Sequence, residues 1–265
     1  MTQLSIFLLG SFRVAVDGEP ATGFVSDKAR ALLAFLAVEA ERAHRREALA
    51  GLLWPEYPER SARANLRNAL ANVRQVIGDR AIGDRAISDR PDPPFLCVAR
   101  QTIQFNPEAD AHVDVTVFTE GLELASASSP SHPGTIQKLE AAVALYQGGF
   151  LEGFSLPDSA AFEEWALLKR EQLQRQALAA LGRLAGHYEQ QGEYERALQF
   201  AWRRVEMDPY RGVAQRGLMR LLALSGQREA ALAQYEAFRR LLAEEMGVAY
   251  IHTMHRRGLF ELVAH

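Results

Sequence analysis

The 265-residue sequence lacks the features that mark membrane, secreted and cysteine-rich proteins. Cysteine occurs once, at Cys97, so an internal disulfide and a cysteine metal cluster are excluded, and we expect this residue to be buried in a strand. No apolar run is long enough to cross a bilayer, and the LSIFLLG stretch is too short for a signal peptide and lacks a basic start. These absences predict a cytoplasmic protein that makes no membrane contact.

The sequence also lacks the motifs on which common enzyme chemistries depend. It contains neither a nucleophile elbow nor a glycine-rich phosphate loop, and its seven histidines are scattered. His252 and His255 lie three residues apart in an expected terminal helix, but no carboxylate or cysteine accompanies them at ligand spacing. The carboxylate pairs Glu163–Glu164 and Glu244–Glu245 are most simply exposed on helices. We therefore expect no catalytic activity, no metal site and no cofactor.

The composition that remains is that of a globular protein, with 48% hydrophobic and 24% charged residues and enough chain for one to three domains. The net charge of −3 argues against non-specific binding of polyanions by the whole molecule. Positive charge is nevertheless concentrated in one segment, residues 60–77, which contains no acidic residue. Such a local concentration is what a nucleic-acid footprint requires.

That segment belongs to the run from Pro58 to Gly78, which has the strongest pattern in the chain. No proline or glycine lies between Glu59 and Ile77, and this permits a single helix. One stripe at helical spacing is apolar and is expected to face a core: Ala62, Leu66, Ala69, Leu70, Val73 and Ile77. Ala64 and Ala71 separate two polar flanks, which are Arg60, Arg63, Arg67 and Arg74 on one side and Asn65, Asn68 and Asn72 on the other.

These residue types suit a helix that enters the major groove of DNA. Arginine binds phosphate or the O6 and N7 atoms of guanine, asparagine binds N6 and N7 of adenine, and alanine lets the backbone approach closely. The pattern alone leaves open a solvated helix face, because arginine is a good helix former that is usually exposed.

The segments before this helix follow the order of a helix-turn-helix domain. Short strands come first, with a hairpin turn at Asp17–Gly18, and Ser26 can cap a first helix. A second helix, REALAGLLW, ends at Pro55. Arg45 and Arg46 begin this second helix, where the architecture crosses the DNA backbone, so they can contact phosphate or simply be solvated.

A hairpin is predicted after the central helix. The segment PFLCVARQTIQFNP alternates apolar residues around a short turn, as expected of a wing, and Arg100 and Gln101 near its tip can touch the minor groove or the backbone. Between the helix and this hairpin, the five residues GDRAI occur twice in tandem, at 78–82 and 83–87, which we interpret as a tolerated loop expansion.

The pattern after Asp114 is almost entirely helical and contains an internal repeat. The segment Gly192–Leu198 recurs in part at Gly226–Leu232, an offset of 34 residues, which is the length of a tetratricopeptide repeat. We expect each of these glycines between the two helices of a repeat, with Ala197 and Ala231 at a tight helix contact. The predicted fold class is mainly α, with an N-terminal winged helix-turn-helix and small β-sheets followed by an all-α tetratricopeptide-like repeat domain.

In the order of all these elements the sequence resembles the antibiotic-regulatory-protein (SARP) class of bacterial transcription activators. The segments that carry the resemblance are LLGSFRVAVDG, DKARALLAFLA, LAGLLWPEYPERSARANLRNALANVRQVIG, FLCVARQTIQFNP, VDVTVF, GGFLEGF and the two repeats. The resemblance implies an OmpR-type winged helix, at residues 1–110, joined to a helical bacterial transcriptional activator domain (BTAD), at residues 111–265.

The resemblance also implies how DNA is bound. The third helix would read the major groove while the wing touches the minor groove. The residues implied to face base edges are Ala64, Arg67, Asn68 and Ala71, and those implied to lie nearer phosphate are Arg60, Arg63, Asn72 and Arg74. The implied partners are double-stranded DNA, RNA polymerase or another protein through the helical domain, and further copies of the chain on DNA.

A sequence-specific transcription regulator, most simply an activator, is therefore the function we expect. The alternative is a protein-interaction adaptor, in which the repeats bind a partner protein and the winged helix does not bind DNA.

Overall fold

The computed structural model describes residues 3–79, 94–127 and 133–246. This part of the chain is mainly α-helical with two small β-sheets near the N-terminus, which confirms the predicted fold class. Contacts divide the chain into two compact units, Met1–Ala127 with Ala144–Leu173 and Ser128–Val143 with Gln174–His265. Each unit is described by itself.

The first unit begins with a four-stranded sheet in the order β3-β2-β1-β7. Its strands are β1 (Leu4–Phe7), β2 (Arg13–Val16), β3 (Glu19–Pro20) and β7 (Ala111–Val113). All neighbours are antiparallel except β1 and β7, which run parallel. Asp17 and Gly18 both have positive φ, 54° and 83°, so the predicted hairpin turn between β2 and β3 is confirmed.

Three helices and a hairpin follow. They are α1 (Asp27–Val38), α2 (Arg46–Leu53), α3 (Glu59–Val76) and the strands β5 (Leu96–Val98) and β6 (Thr102–Phe105). A two-residue strand, β4 (His44–Arg45), pairs with β6 and completes a second sheet in the order β4-β6-β5. The Ser26 hydroxyl accepts a hydrogen bond from the Ala29 amide, which confirms the predicted helix cap. The predicted wing hairpin is confirmed by the pairing of β5 with β6.

The predicted apolar stripe holds α3 in the core. All six of its members are buried: Ala62, Leu66, Ala69, Leu70, Val73 and Ile77. Cys97, in contrast, is exposed on β5, so the expectation that it is buried was wrong. A side chain on a two-sided strand can face either way, and the alternation of the hairpin assigns this position to solvent.

A connector and the start of a long helix also belong to the first unit. The amide of Leu151 donates to the Leu8 carbonyl at 2.8 Å and that of Glu152 to the Gly10 carbonyl at 2.9 Å, so this segment lines the end of β1. In α6 (Ala160–Gln190), the Trp165 indole donates to Glu39, at the end of α1, at 3.0 Å. The domain boundary expected at residue 110 stays a prediction. Residues 144–173, which lie beyond it in the sequence, pack in the same unit as the winged helix.

Asp114, the first residue of α4 (Asp114–Ala127), anchors the end of β1 inside this unit. It is buried, and its carboxylate accepts hydrogen bonds from the amides of Leu8 and Leu9 at 2.8 to 2.9 Å. Burial raises the pKa of Asp114, and these hydrogen bonds offset only part of the increase. The segment VDVTVF therefore joins the sheet to the first helix that follows the wing.

The second unit is built from packed helices. They are most of α5 (Pro133–Leu145), the end of α6, α7 (Tyr194–Met207), α8 (Gly212–Leu224) and α9 (Arg228–Met246), and α8 packs against both α7 and α9. Gly192 and Gly226, with φ of 74° and 79°, lie between α6 and α7 and between α8 and α9. Ala197 and Ala231 are buried, so the predicted repeat positions are confirmed.

Tyr188 ties three helices of the second unit together. Its hydroxyl donates to Glu140 at 2.8 Å, the Arg196 guanidinium binds the same carboxylate at 2.8 Å and lies over the ring at 4.1 Å, and Phe200 stacks at 5.8 Å. Burial and the bond to Glu140 raise the pKa of Tyr188 to about 12.

Among the described helices, none combines the length with the apolar character that a membrane crossing demands. Residues 80–93, which hold most of the tandem duplication, and the histidines at 252 and 255 lie outside the described residues.

Candidate nucleic-acid interface

The start of α2, the first half of α3 and the tip of the wing form a groove with a volume of about 750 Å³, which we call the arginine groove. It is lined by six arginines, two glutamates, Leu66 and Gln101. The charged residues are Arg45, Arg46, Arg60, Arg63, Arg67 and Arg100 with Glu47 and Glu59. The structure thus brings together seven of the residues that the sequence singled out, from three separate segments.

Arg46 fixes the wing to the second helix. Its backbone amide donates to the Gln101 carbonyl at 2.9 Å, and its side-chain Nε donates to the Ala99 carbonyl at 3.2 Å. The β4–β6 pairing adds a second link, with Arg45 opposite Thr102. The wing tip is therefore held beside the start of α2, so that Arg100 and Gln101 lie on the same surface as the arginines of α3.

The arginines of the groove differ in their partners. Arg63 pairs with Glu47 at 2.9 Å and with Glu59, four residues before it on α3. Four others are exposed and, within the described residues, make no ion pair: Arg45, Arg60, Arg67 and Arg100. The open guanidinium groups give this surface an excess of positive charge, because only two carboxylates share it with six arginines.

Asn72 does not lie where the sequence placed it. We expected it near phosphate, but it is only 9% exposed, its Oδ1 accepts from the Val25 amide at 3.0 Å and its Nδ2 donates to the Gly23 carbonyl at 2.9 Å. Gly23 has φ of 107°, a conformation that favours glycine. The carboxamide clamps the strap at residues 23–25 onto α3, and a DNA contact by this group is contradicted.

Arg74 also departs from the expected position near phosphate. Its side chain is 14% exposed, and its Nε lies 3.7 Å from the carboxylate of Asp79, which is 1% exposed. Asp79 in turn accepts a hydrogen bond from the amide of Leu96, the first residue of the wing. Arg74 is therefore engaged in joining the end of α3 to β5, and we remove it from the candidate DNA contacts.

The remaining candidates on α3 form a ridge beside the groove. Ala71 and Asn68 are exposed and Ala64 is half-buried. Gln75 is exposed on the same ridge, and the sequence pattern missed it, although its angle on the helix falls between those of Ala71 and Asn68.

Beyond the ridge, Asn65 and Asn68 line a second concave surface, of about 510 Å³. Lys28 lies there, over the rings of Trp54 and Tyr57 at 5.5 and 5.8 Å. Its ammonium donates to the Leu53 carbonyl and pairs with Asp158, each at 2.7 Å. This surface is nearly neutral, in contrast to the arginine groove.

Comparison with known proteins agrees with this architecture of a winged helix joined to repeat helices. The chain belongs to the bacterial transcriptional activator domain family, a family of transcription regulators, because the model of that family matches residues 113–257, more than half of the chain. The resemblance to SARP-type activators that the sequence indicated is confirmed at this level.

Individual relatives match more narrowly. The transcriptional regulatory protein EmbR of Mycobacterium tuberculosis and that of Mycobacterium bovis are each 34% identical to this chain over 76 residues, which is 29% of this chain and 19% of theirs. A solved structure, Mycobacterium tuberculosis EmbR in complex with a low-affinity phosphopeptide, superposes over the whole of this chain and 65% of its own, with a TM-score of 0.67 and 22% identity. That likeness shows the fold, and the phosphopeptide belongs to the other protein.

Proposed function

We propose that this protein is a sequence-specific DNA-binding transcription regulator that activates transcription. The observation that carries the proposal is the arginine groove, in which α2, α3 and the wing direct six guanidinium groups to one surface. An excess of basic side chains along one helix and a neighbouring hairpin is the electrostatic footprint of a DNA-binding surface. It arises here in a chain whose net charge is −3, so the charge is placed locally and not spread over the molecule.

In this proposal α3 enters the major groove and the wing contacts the minor groove. Arg67, from the arginine groove, and Asn68, from the ridge beside it, reach base edges, and Ala64 and Ala71 allow close approach of the backbone. Phosphate contacts come from arginines of β4, α2, α3 and the wing tip, which fix the orientation of α3 on the duplex without reading sequence. These residues are Arg45, Arg46, Arg60 and Arg100, with Gln101 beside them at the wing tip.

The helical part supplies contacts with protein. We propose that it mediates self-association on DNA or contact with RNA polymerase or another protein. We also propose that the DNA sites bound by two copies of the chain are direct repeats. The family to which the chain belongs is one of transcription regulators, and we propose a regulator without enzymatic activity. It acts on chromosomal DNA and therefore in the cytoplasm.

Selection of bound duplexes from a random pool tests the proposal. We expect enrichment of a defined sequence, and the spacing of its half-sites would give the arrangement of subunits. Titration of the enriched duplex should shift the amide signals of α3 and the wing tip. Recovery of sequences without enrichment, or α3 signals that stay unmoved, would contradict the proposal and favour the adaptor function instead.

A further inference from the structure

Two acidic side chains in the arginine groove bind the same nitrogen of one arginine. Glu47, in the first turn of α2, accepts from Nη2 of Arg63 at 2.9 Å, and Glu59, the first residue of α3, accepts from the same Nη2. The three side chains are 62%, 76% and 48% exposed in the order Glu47, Glu59, Arg63. An approaching duplex can therefore reach all three groups.

The choice of nitrogen has a chemical consequence. A guanidinium offers two-point contacts through two faces, Nη1 with Nη2 and Nε with Nη2, and both faces include Nη2. While Glu47 and Glu59 occupy that nitrogen, Arg63 presents no free two-donor face to a phosphate or to guanine O6 and N7. A duplex must displace at least one carboxylate before Arg63 can bind it in this way.

Displacement is opposed by charge as well as by geometry. A phosphate that approaches Arg63 also approaches two carboxylates, which repel it. We infer that Glu47 and Glu59 hold Arg63 out of the DNA-contacting set and so lower the affinity of the protein for duplex DNA of any sequence. This inference rests on the proposed DNA-binding function, and it reassigns Arg63, for which the sequence indicated a phosphate contact.

The test compares the wild type with the double variant Glu47→Gln, Glu59→Gln on a random-sequence duplex over a range of salt concentrations. Glutamine keeps the shape and one acceptor oxygen but removes the charge. Released Arg63 should neutralise one more phosphate, so the slope of log K against log salt should steepen by about 0.9. Loss of two nearby negative charges should raise the affinity about fivefold near physiological salt.

Two controls separate Arg63 from a general change of charge. Glu19→Gln, on β3 and outside the groove, should leave the salt slope unchanged. Arg63→Ala should leave the slope of the wild type nearly unchanged, because Arg63 is not a phosphate contact there. The same substitution in the double variant should restore the shallower slope, and this non-additivity identifies Arg63 as the released group.

The outcomes distinguish this inference from the function on which it rests. If the wild type binds no duplex, both fail. If the wild type binds and the double variant has the same slope and affinity, only the inference fails. If the affinity gain and the steeper slope survive Arg63→Ala in the double variant, the carboxylates act on the duplex directly and the restraint of Arg63 is refuted.

Discussion

The open and the covered polar positions of α3 look alike in the sequence and differ in the structure. On one flank, Arg60 and Arg67 are exposed beside the wing and the start of α2. On the other, Asn72 is buried beneath the strap at residues 23–25, and both ends of its carboxamide are bound. At the end of the helix, Arg74 is covered as well.

The comparison shows that the role of a polar side chain near the edge of a buried stripe depends on whether another segment of the chain covers it. Helical periodicity gives the angle of a residue but not the extent of the surface that other segments cover. Side chains at the open positions should therefore affect binding without affecting folding, and those at the covered positions should do the reverse.

The largest effect is expected from Arg74→Ala. Removing the guanidinium takes one cation away from the buried carboxylate of Asp79 and removes the largely buried Arg74 side chain, which should lower the free energy of unfolding by about 3 kcal/mol. Urea denaturation followed by circular dichroism measures the change, with Arg60→Ala as the matched control, expected within about 0.5 kcal/mol of the wild type. If the variant is as stable as the wild type but binds all duplexes more weakly, Arg74 contacts phosphate, as the sequence indicated.

Asn72→Ala is expected to cost about 2 kcal/mol of stability. The substitution leaves the Val25 amide and the Gly23 carbonyl without their partner at a partly buried position. The same denaturation experiment applies, and Asn68→Ala, on the exposed ridge of the same helix, should leave stability nearly unchanged. Equal stability losses in the two variants would show that the covered and open positions do not differ.

Arg67→Ala should act on binding alone. On the enriched duplex we expect a loss of about 2 kcal/mol, or about thirtyfold in affinity, with relaxed preference at one base pair and unchanged stability. Arg67→Lys serves as the matched variant, because lysine keeps the charge and the salt slope but lacks the two-point contact with guanine. Equal weakening on every sequence would mean that Arg67 binds phosphate.

Much of this architecture could be predicted because it depends on local pattern. The apolar stripe of α3, the hairpin turn at Asp17–Gly18 and the glycines between repeat helices each follow from nearby residues. The pairing of Arg63 with Glu59 also follows from their spacing of four on a helix.

The error at Asn72 and the missed partner of Arg63 came from contacts that are distant in sequence, whereas Arg74 pairs with a nearby residue, Asp79, just beyond the end of its helix. Asn72 is hydrogen-bonded to Val25 and Gly23, which lie 47 and 49 positions before it in the sequence. The periodicity of α3 gives no sign of this strap. Glu47 reaches Arg63 from another helix, 16 residues away. For the same reason the sequence did not show that residues 144–173 pack with the winged helix.

The smallest expected effect concerns pH on the packed side of the first unit. Burial alone would raise the pKa of Glu39, but hydrogen bonds from Lys169 and Trp165 outweigh it, so the pKa lies below the ordinary value of 4.5. A carboxyl with a lowered folded-state pKa stabilises the protein above its unfolded pKa, and this stability is lost as pH falls through the folded value. The loss should therefore appear below pH 4.5 and, because the group is partly exposed, amount to less than about 1 kcal/mol.

Glu39→Gln isolates this contribution, because glutamine cannot titrate. Urea denaturation at a series of pH values should show a shallower loss of stability below pH 4.5 in the variant than in the wild type. Asp114 acts in the opposite direction, since its raised pKa makes protonation favour the folded state as pH falls toward 3.8. The contribution of Asp114 is the same in the wild type and in Glu39→Gln, so it cancels when the two pH profiles are compared. Identical profiles would show that the contacts with Lys169 and Trp165 do not favour the charged carboxylate of Glu39.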